Sequence, residues 1–253
     1  MKVVILAGGY GTRFSEYTDV TPKPMIEIAG EPIAVHIMRR YAQYGYKDFV
    51  LALGYKAHKF REYFANYKSK FSNISINLGT GTIEFLDENE GLDWNVTLID
   101  TGQDTMTGGR LKRLSNILTE PFMLTYGDGV ANVDLHALVN FHEENRKTLT
   151  LTAVRPNARF GELEFSGNDV VGFDEKPQLA QGWINGGFFV CEPEIFNYIE
   201  ADSEMLEREP MARLVKDRQL SAYKHEGFWQ CMDTKRDHEK LTQRFATDPV
   251  WLK

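Results

Sequence analysis

Apolar runs alternate with amphipathic stretches along the first half of the chain. Runs rich in Val, Ile, Leu and Phe predict strands at residues 1–5, 47–53, 94–100 and 122–126, the first of them in a buried parallel sheet. Between them, apolar side chains recur at helical spacing at residues 30–44 and 55–67, and again after residue 107. Strands that alternate with helices in this way predict an α/β fold, with a mostly parallel sheet flanked by helices on both faces.

The second half of the chain continues the alternation and adds hairpins. Alternating apolar residues predict one hairpin within residues 72–90 and another within residues 160–173 that turns at 166–169. Asp233 is expected to cap a helix that runs to about residue 245. Other predicted elements are strands at 149–155, 183–190 and 220–223 and helices at 135–145, 193–199 and 210–216. In the helix after residue 107, the side chains expected to face the core are Leu111, Leu114, Ile117 and Leu118.

Length and composition predict one globular domain spanning residues 1–253. The net charge of −7 argues against nonspecific nucleic-acid binding, which needs a basic surface, although a local group of Arg and Lys can still bind one nucleotide. The two cysteines, Cys191 and Cys231, form no C-x-x-C pair. No signal-peptide pattern and no apolar run of about 18 residues is present. We therefore expect a cytoplasmic protein that does not bind membranes.

The stretch that follows the first predicted strand, residues 6–24, carries the chemistry of a phosphate-binding loop. Its glycines allow backbone N–H groups to approach a ligand closely, and Arg13 offers a planar set of donors suited to phosphate. Prolines on both sides of Lys23 restrict where its ammonium can point. An ordinary strand-to-turn connection would also accept these glycines. The predicted phosphate-binding residues are Leu6, Ala7, Gly8, Gly9, Gly11, Thr12, Arg13 and Lys23.

A second Gly-rich turn follows the predicted strand at residues 94–100. Thr107, Gly108 and Gly109 precede a helix, so free N–H groups and a partial positive charge are expected there, beside Arg110. Thr105 lies in the same turn. A capped helix at the protein surface is the alternative interpretation.

Two further polar residues lie just after a predicted strand or within one. Tyr126 and Gly127 lead to Asp128, which lies between two glycines and could bind Mg²⁺, although an ordinary turn also favours Asp and Gly. Asn185 lies in an apolar strand that Gly186 and Gly187 interrupt, and glycine within a strand often marks the close approach of a ligand.

The order of these motifs resembles that of the sugar nucleotidyltransferases, which join a nucleoside triphosphate to a sugar 1-phosphate. The resemblance covers nearly the whole chain, and the TMTGGRLKR segment is similar to that of the glucose-1-phosphate cytidylyltransferases. The motifs are LAGGYGTR, PKPM, TMTGGRLKR, TYGDG, RFGEL, FDEKP, INGGFF and GFWQCMDT.

The resemblance implies a Rossmann-like nucleotide-diphospho-sugar transferase fold, with the second hairpin as an acceptor-binding extension. It implies that CTP and α-D-glucose 1-phosphate react to give CDP-glucose and pyrophosphate, with Mg²⁺ on Asp128 and Asp233 and with a homo-oligomeric enzyme. The implied catalytic residues are Arg13, Lys23 and Lys176. The implied acceptor-binding residues are Tyr126, Glu175, Lys176 and Asn185. The nucleotide-binding residues outside the first loop are Thr105, Gly109, Arg110, Gly127 and Asp128.

Several alternatives stay open at this point. Thr21, Leu206 and Cys231 differ from the usual family pattern, which leaves room for another phosphorylated acceptor, and UTP or dTTP could replace CTP. A noncatalytic nucleotide-binding regulator could use the same fold. A dinucleotide-dependent oxidoreductase fits less well, because the glycine spacing of the first loop differs from G-x-G-x-x-G.

Overall fold

A computed structural model describes residues 1–11, 18, 20–87, 92–156, 162–166, 169–174 and 182–253, with the backbone alone for 162–166 and 172–174. The strands are β1 (Val3–Leu6), β2 (Glu27–Ile28), β3 (Glu31–Pro32), β4 (Asp48–Leu53), β5 (Ile74–Asn77), β6 (Thr82–Phe85), β7 (Asn95–Asp100), β8 (Phe122–Tyr126), β9 (Gly129–Ala131), β10 (Leu149–Val154), β11 (Glu162–Ser166), β12 (Asp169–Asp174), β13 (Ile184–Asn185), β14 (Phe189–Cys191), β15 (Leu220–His225) and β16 (Trp229–Cys231). The α-helices are α1 (Ile33–Gln43), α2 (Ala57–Ala65), α3 (Tyr67–Phe71), α4 (Thr107–Lys112), α5 (Leu135–Asn145), α6 (Glu209–Lys216) and α7 (Lys235–Thr247), and short 3₁₀ helices lie at Lys23–Met25, Pro193–Tyr198 and Val250–Leu252.

The central sheet is mixed, with a mostly parallel core, as the alternating pattern predicts. β1 lies between β8 and β4, β4 pairs with β7, and all three pairings are parallel. β10 and β15 also form a parallel pair. β14 lies between β8 and β10 and is antiparallel to both strands. The carboxyl ends of β1, β4, β7 and β8 therefore share one edge of the sheet.

Hydrophobic clusters cover both faces of the sheet, since the side chains of a strand alternate between the two faces. Val3 and Ile5 of β1 pack into one cluster together with side chains of α1, and Val4 and Leu6 pack into the other together with Leu111. A helix layer on each face is the arrangement of a doubly wound α/β fold.

Both predicted hairpins form: β5 pairs with β6, and β11 pairs with β12 with Ser166 opposite Asp169. Some boundaries differ from the sequence-based expectations. The first helix begins at Ile33, because Glu31–Pro32 pairs with Glu27–Ile28 as a short strand. The inward orientation expected for Ile117 is wrong: its side chain is 37% exposed, because α4 ends at Lys112 and the helical spacing stops there.

Among the described residues, the helices are too short or too polar to span a lipid bilayer.

Candidate active site

A cavity of about 460 Å³ opens where the carboxyl ends of β1 and β8 meet the turn that follows β7. Most of the residues predicted from sequence line it. They are Leu6, Ala7, Gly8, Gly9, Gly11, Lys23, Thr105, Arg110, Tyr126, Gly127 and Asp128. Thr12, Arg13, Glu175 and Lys176 lie outside the described residues.

A larger groove of about 910 Å³ lies between α2 and α7 and is lined by Val20, Tyr63 and His238, among others. None of the described residues predicted to bind phosphate lines this groove, although Met25, which lies near Lys23 in sequence, does. Because most of the described residues that were predicted to bind the nucleotide line the smaller cavity, that cavity is the candidate active site.

Lys23, Asp128 and Asp233 form a compact ionic group, which we call the Lys23 cluster. The Nζ atom of Lys23 lies 2.6 Å from Oδ2 of Asp128 and 2.5 Å from Oδ1 of Asp233. The Lys23 residue is only 8% exposed, and both aspartate side chains are partly buried. The structure thus brings together three residues that are 105 and 210 positions apart in sequence.

Local structure explains this convergence. Lys23 lies between Pro22 and Pro24 and begins a single 3₁₀ turn, Lys23–Met25. The backbone N–H of Ile26 donates to the Lys23 carbonyl at 3.1 Å. Asp128 follows β8, and Asp233 follows β16. The antiparallel pairing of β16 with β9 places Cys231 opposite Gly129, and the Met232 N–H donates to the Asp128 carbonyl at 2.8 Å.

The prediction that Asp233 caps a helix is wrong. The N-cap of α7 is Thr234, whose hydroxyl oxygen accepts from the Asp237 N–H while the Asp237 carboxylate accepts from the Thr234 N–H at 3.0 Å. This capping box satisfies the helix start without Asp233. Because Thr234 performs the capping, the Asp233 carboxylate is directed to Lys23 instead.

The electrostatics of the cluster keep Lys23 charged. Burial alone lowers the pKa of its ammonium, but the charges and hydrogen bonds of Asp128 and Asp233 outweigh burial and raise the pKa above its usual value. The cluster therefore holds one cation between two carboxylates.

The same two carboxylates suit a magnesium ion. Mg²⁺ in nucleotide enzymes is typically bound by one or two carboxylates and completes its shell with phosphate oxygens and water. Asp128 and Asp233 already converge on one positive charge. Across the described part of the chain, no group of three or more His, Cys, Asp and Glu side chains is arranged to hold a metal. Two carboxylates leave the rest of the coordination shell of Mg²⁺ to phosphate oxygens and water.

Arg110 lines the cavity, and its side chain bonds to the backbone of the surrounding loops. Its buried guanidinium donates to the carbonyl of Gly8 at 2.8 Å and to that of Leu53 at 3.0 Å. Further acceptors are the Thr101 hydroxyl and the carbonyls of Gly102 and Gln103. These five acceptors use the N–H groups of both terminal nitrogens, so Arg110 holds the backbone around the cavity in place, and its contact with the nucleotide stays a prediction.

Gly8 is a glycine because Arg110 lies against it. A Cβ at Gly8 would lie 2.2 Å from Nη1 of Arg110, a distance that no van der Waals contact allows. Gly9, in contrast, has open space where a Cβ would be. The two glycines therefore serve different purposes, and Gly9 is the one beside which a ligand has room.

The expectation of free N–H groups at the start of α4 is also wrong. The amides of Gly108 and Gly109 both donate to the Glu204 carbonyl, at 3.0 and 3.3 Å. A Cβ at Gly109 would lie 2.4 Å from the Asp202 carbonyl oxygen. These glycines allow the segment around Glu204 to pack against the helix, so the Gly109 amide does not face the cavity.

The predicted acceptor residues Tyr126 and Asn185 contact each other, since the Asn185 amide donates to the Tyr126 hydroxyl at 3.0 Å. The Tyr126 hydroxyl in turn donates to Glu207 at 2.6 Å. Sequence reasoning missed Glu207, because it lies in a charged stretch without a motif. It also missed Tyr10, whose hydroxyl donates to Asp104 at 2.5 Å across the cavity mouth.

Cys231 lies next to the Lys23 cluster, with its Sγ 3.6 Å from Oδ2 of Asp233. Burial, followed by the charge of Asp233, raises the pKa of this thiol to about 12. The thiolate is the reactive form, so we expect iodoacetamide at about pH 8 to alkylate Cys231 of the folded protein far more slowly than a free thiol. Mass spectrometry measures the rate, and urea-unfolded protein is the control. Rapid labelling of the folded protein would contradict the prediction.

Comparisons with known proteins agree with the fold. The chain belongs to the nucleotidyl transferase family, whose model matches residues 2–234, and it is an enzyme of nucleotidyl transfer. It is 47% identical to glucose-1-phosphate cytidylyltransferase of Salmonella typhi over 239 residues, and these residues cover 94% of this chain and 93% of that protein.

More distant relatives differ in the substrates that their names give. Mannose-1-phosphate guanyltransferase of Gibberella zeae is 31% identical over 246 residues, which cover 94% of this chain and 62% of that protein. Among solved structures, HddC of Yersinia pseudotuberculosis superposes with a TM-score of 0.69, at 21% identity, over 96% of this chain and 99% of that chain. At that identity the structural likeness supports the fold alone.

Proposed function

We propose that this enzyme joins CTP to α-D-glucose 1-phosphate and gives CDP-glucose and pyrophosphate. The observation that carries the proposal is the Lys23 cluster at the edge of the cavity, where Asp128 and Asp233 converge on one cation. The choice of CTP and glucose 1-phosphate is supported by the name of the Salmonella typhi relative, which matches 94% of this chain.

The reaction needs little covalent chemistry from the protein. An oxygen of the sugar phosphate attacks the α-phosphorus of CTP, the bond from that phosphorus to the bridging oxygen breaks, and its electron pair leaves with pyrophosphate. A sugar phosphate is largely dianionic near neutral pH, since its second pKa is about 6, so no general base is required. The enzyme has to position the reactants and neutralise charge.

Each predicted site residue has a proposed task. Lys23 neutralises the triphosphate, Arg13 does so from the same loop, and Lys176 binds the attacking phosphate. Glu175, Tyr126 and Asn185 bind the sugar. The first loop and the turn after β7 surround the nucleotide.

Asp128 and Asp233 are proposed to hold Mg²⁺, which when bound supplies positive charge to the phosphate oxygens. A homo-oligomer is also part of the proposal. It is supported by the exposed apolar side chains of the β5–β6 hairpin, where Ile76 and Ile83 pair across the strands and are 49% and 46% exposed. Both cysteines are free, which supports a cytoplasmic location.

A matrix of nucleoside triphosphates against sugar 1-phosphates, read by pyrophosphate release, tests the proposal. We expect the highest kcat/KM for CTP with glucose 1-phosphate, no release without an acceptor, and no release after chelation of divalent cations. A higher kcat/KM for UTP, dTTP or another acceptor would reassign the substrates. Absence of release from every pair would favour a noncatalytic nucleotide-binding protein.

A further inference from the structure

Glu207 connects two walls of the cavity through hydrogen bonds. Its Oε1 accepts from the Tyr126 hydroxyl at 2.6 Å, and its Oε2 accepts from the Thr107 hydroxyl at 2.7 Å. The Asn185 amide donates to the Tyr126 hydroxyl oxygen at 3.0 Å. We call these four residues, Glu207, Tyr126, Thr107 and Asn185, the Glu207 network.

The network joins parts of the chain that are far apart in sequence. Tyr126 ends β8, Asn185 ends β13, and Thr107 is the first residue of α4. Tyr126 and Thr107 both line the cavity. One backbone amide also contacts the network: the Leu206 N–H donates to the Thr107 hydroxyl oxygen at 2.9 Å. The Glu207 carboxylate therefore fixes the acceptor wall relative to the segment beside the nucleotide.

The protons of the network determine which hydrogen bonds this wall can form with a ligand. A hydroxyl has one proton, and both Tyr126 and Thr107 donate theirs to Glu207. Burial, and then the charge of Glu207, raises the pKa of Tyr126, so its phenol keeps the proton that it donates. The lone pairs that remain on Glu207 and Tyr126 can only accept. The partners that the structure describes for the Glu207 carboxylate are neutral, so the wall also carries negative charge.

We propose that Glu207 is a positioning residue for the sugar: by taking the Tyr126 and Thr107 protons it makes both hydroxyl oxygens acceptors, and it gives this wall of the cavity a negative charge that favours the hydroxyls of the sugar phosphate. This inference rests on the proposed function. Sugar hydroxyls can donate to the wall, whereas its negative charge repels the phosphate group of the same substrate. A site built to bind a hydroxyl rejects an analogue that lacks it, since the buried polar groups are then left unpaired.

Kinetics of Glu207→Ala and Glu207→Gln test the role, with Glu209→Gln as the matched control. Glu209 is an exposed acid two positions away, at the start of α6. We expect Glu207→Ala to raise KM for glucose 1-phosphate about tenfold or more, the effect of a lost hydrogen bond to a charged group. KM for the triphosphate should change about twofold or less, a split that a merely structural role would not produce.

Two further measurements examine the mechanism. Monodeoxy analogues of glucose 1-phosphate should be discriminated against by the wild-type enzyme, and the discrimination against one of them should narrow in Glu207→Gln. For the double variant Tyr126→Phe/Glu207→Gln, the fold-loss in kcat/KM for glucose 1-phosphate should be smaller than the product of the two single fold-losses, because both residues act through one network. Additive effects and unchanged discrimination would overturn the proposal.

Calorimetric titration of glucose 1-phosphate separates this inference from the proposed function, because it needs no turnover. We expect about tenfold weaker binding to Glu207→Gln than to the wild type and to Glu209→Gln, with unchanged melting temperatures. Equal affinities would overturn the role of Glu207, whatever the nucleotide assay gives. If Glu207→Ala unfolds, Glu207→Gln, which keeps the side-chain volume, decides the question.

Discussion

Asp128→Asn is expected to lower kcat for pyrophosphate release by roughly a hundredfold to a thousandfold, and Asp233→Asn is expected to do the same. Each substitution removes one of the two negative charges that converge at the edge of the cavity. An Asn side chain can still accept a hydrogen bond from Lys23, so the fold should be preserved. Initial rates with CTP, glucose 1-phosphate and Mg²⁺ measure the effect, and circular dichroism checks the fold.

Asp93→Asn is the matched control for these variants. Asp93 pairs with Lys47 at 2.6 Å, the same distance as the pair between Asp128 and Lys23, but on the protein surface. Exposed ion pairs contribute little, so this variant should keep its activity. Near-normal turnover of Asp128→Asn or Asp233→Asn would contradict both the metal assignment and the cavity assignment.

Lys23→Met is expected to lower kcat about a hundredfold, because the triphosphate and the departing pyrophosphate lose a nearby positive charge. The variant should also be less stable without ligands. Two carboxylates that converge on the ammonium of Lys23 would face each other without a cation. Because both aspartates are partly exposed, we expect a loss of about 1–3 kcal/mol, less than for a fully buried pair.

Thermal melting with and without Mg²⁺ makes this prediction specific. We expect Mg²⁺ alone, without nucleotide, to raise the melting temperature of Lys23→Met more than that of the wild type, where the ammonium already occupies the position between the carboxylates. Lys47→Met, at the surface pair with Asp93, should respond like the wild type. An equal response of Lys23→Met and the wild type would show that the cation and the ammonium do not share this position.

The parallel core was predictable because its signals are local. The apolar runs that became β1, β4 and β8 are nearly continuous, which is what burial on both faces of a sheet produces, and residues with helical spacing separate β1 from β4. The direction of β14 was not predictable in the same way. A short apolar run buries equally well in either orientation, so its antiparallel position between β8 and β10 depends on the chain connections.

The site shows the same division between local and distant causes. Lys23 and Asp128 could be proposed because each lies in a short motif beside a predicted strand. The capping by Thr234 rather than Asp233 required geometry, since adjacent Asp and Thr residues are both good N-caps. Glu207 could not be found, because it contacts Thr107 and Tyr126 from 100 and 81 positions away and belongs to no local pattern.

Several glycines of the Gly-rich turns make room for other parts of the chain rather than for a ligand. At Gly108 and Gly109, the absence of side chains accommodates the backbone around Asp202 and Glu204. At Gly8 it accommodates Arg110. Sequence alone shows where space is needed, but only the fold shows whether a ligand or another part of the chain fills it.

The Arg110 guanidinium makes several loops mechanically dependent on one another. Its acceptors belong to the loop after β1, to the end of β4 and to the turn after β7. None of these segments can be displaced without breaking a bond to a shared donor, so the rear of the cavity should behave as one rigid body. A lysine at this position, with three donors instead of five, could not bond to all five acceptors of Arg110. We therefore expect variation in the base that this scaffold accepts to arise from side chains at the cavity mouth, such as those of Tyr10 and Asp104, which bond to each other rather than to Arg110.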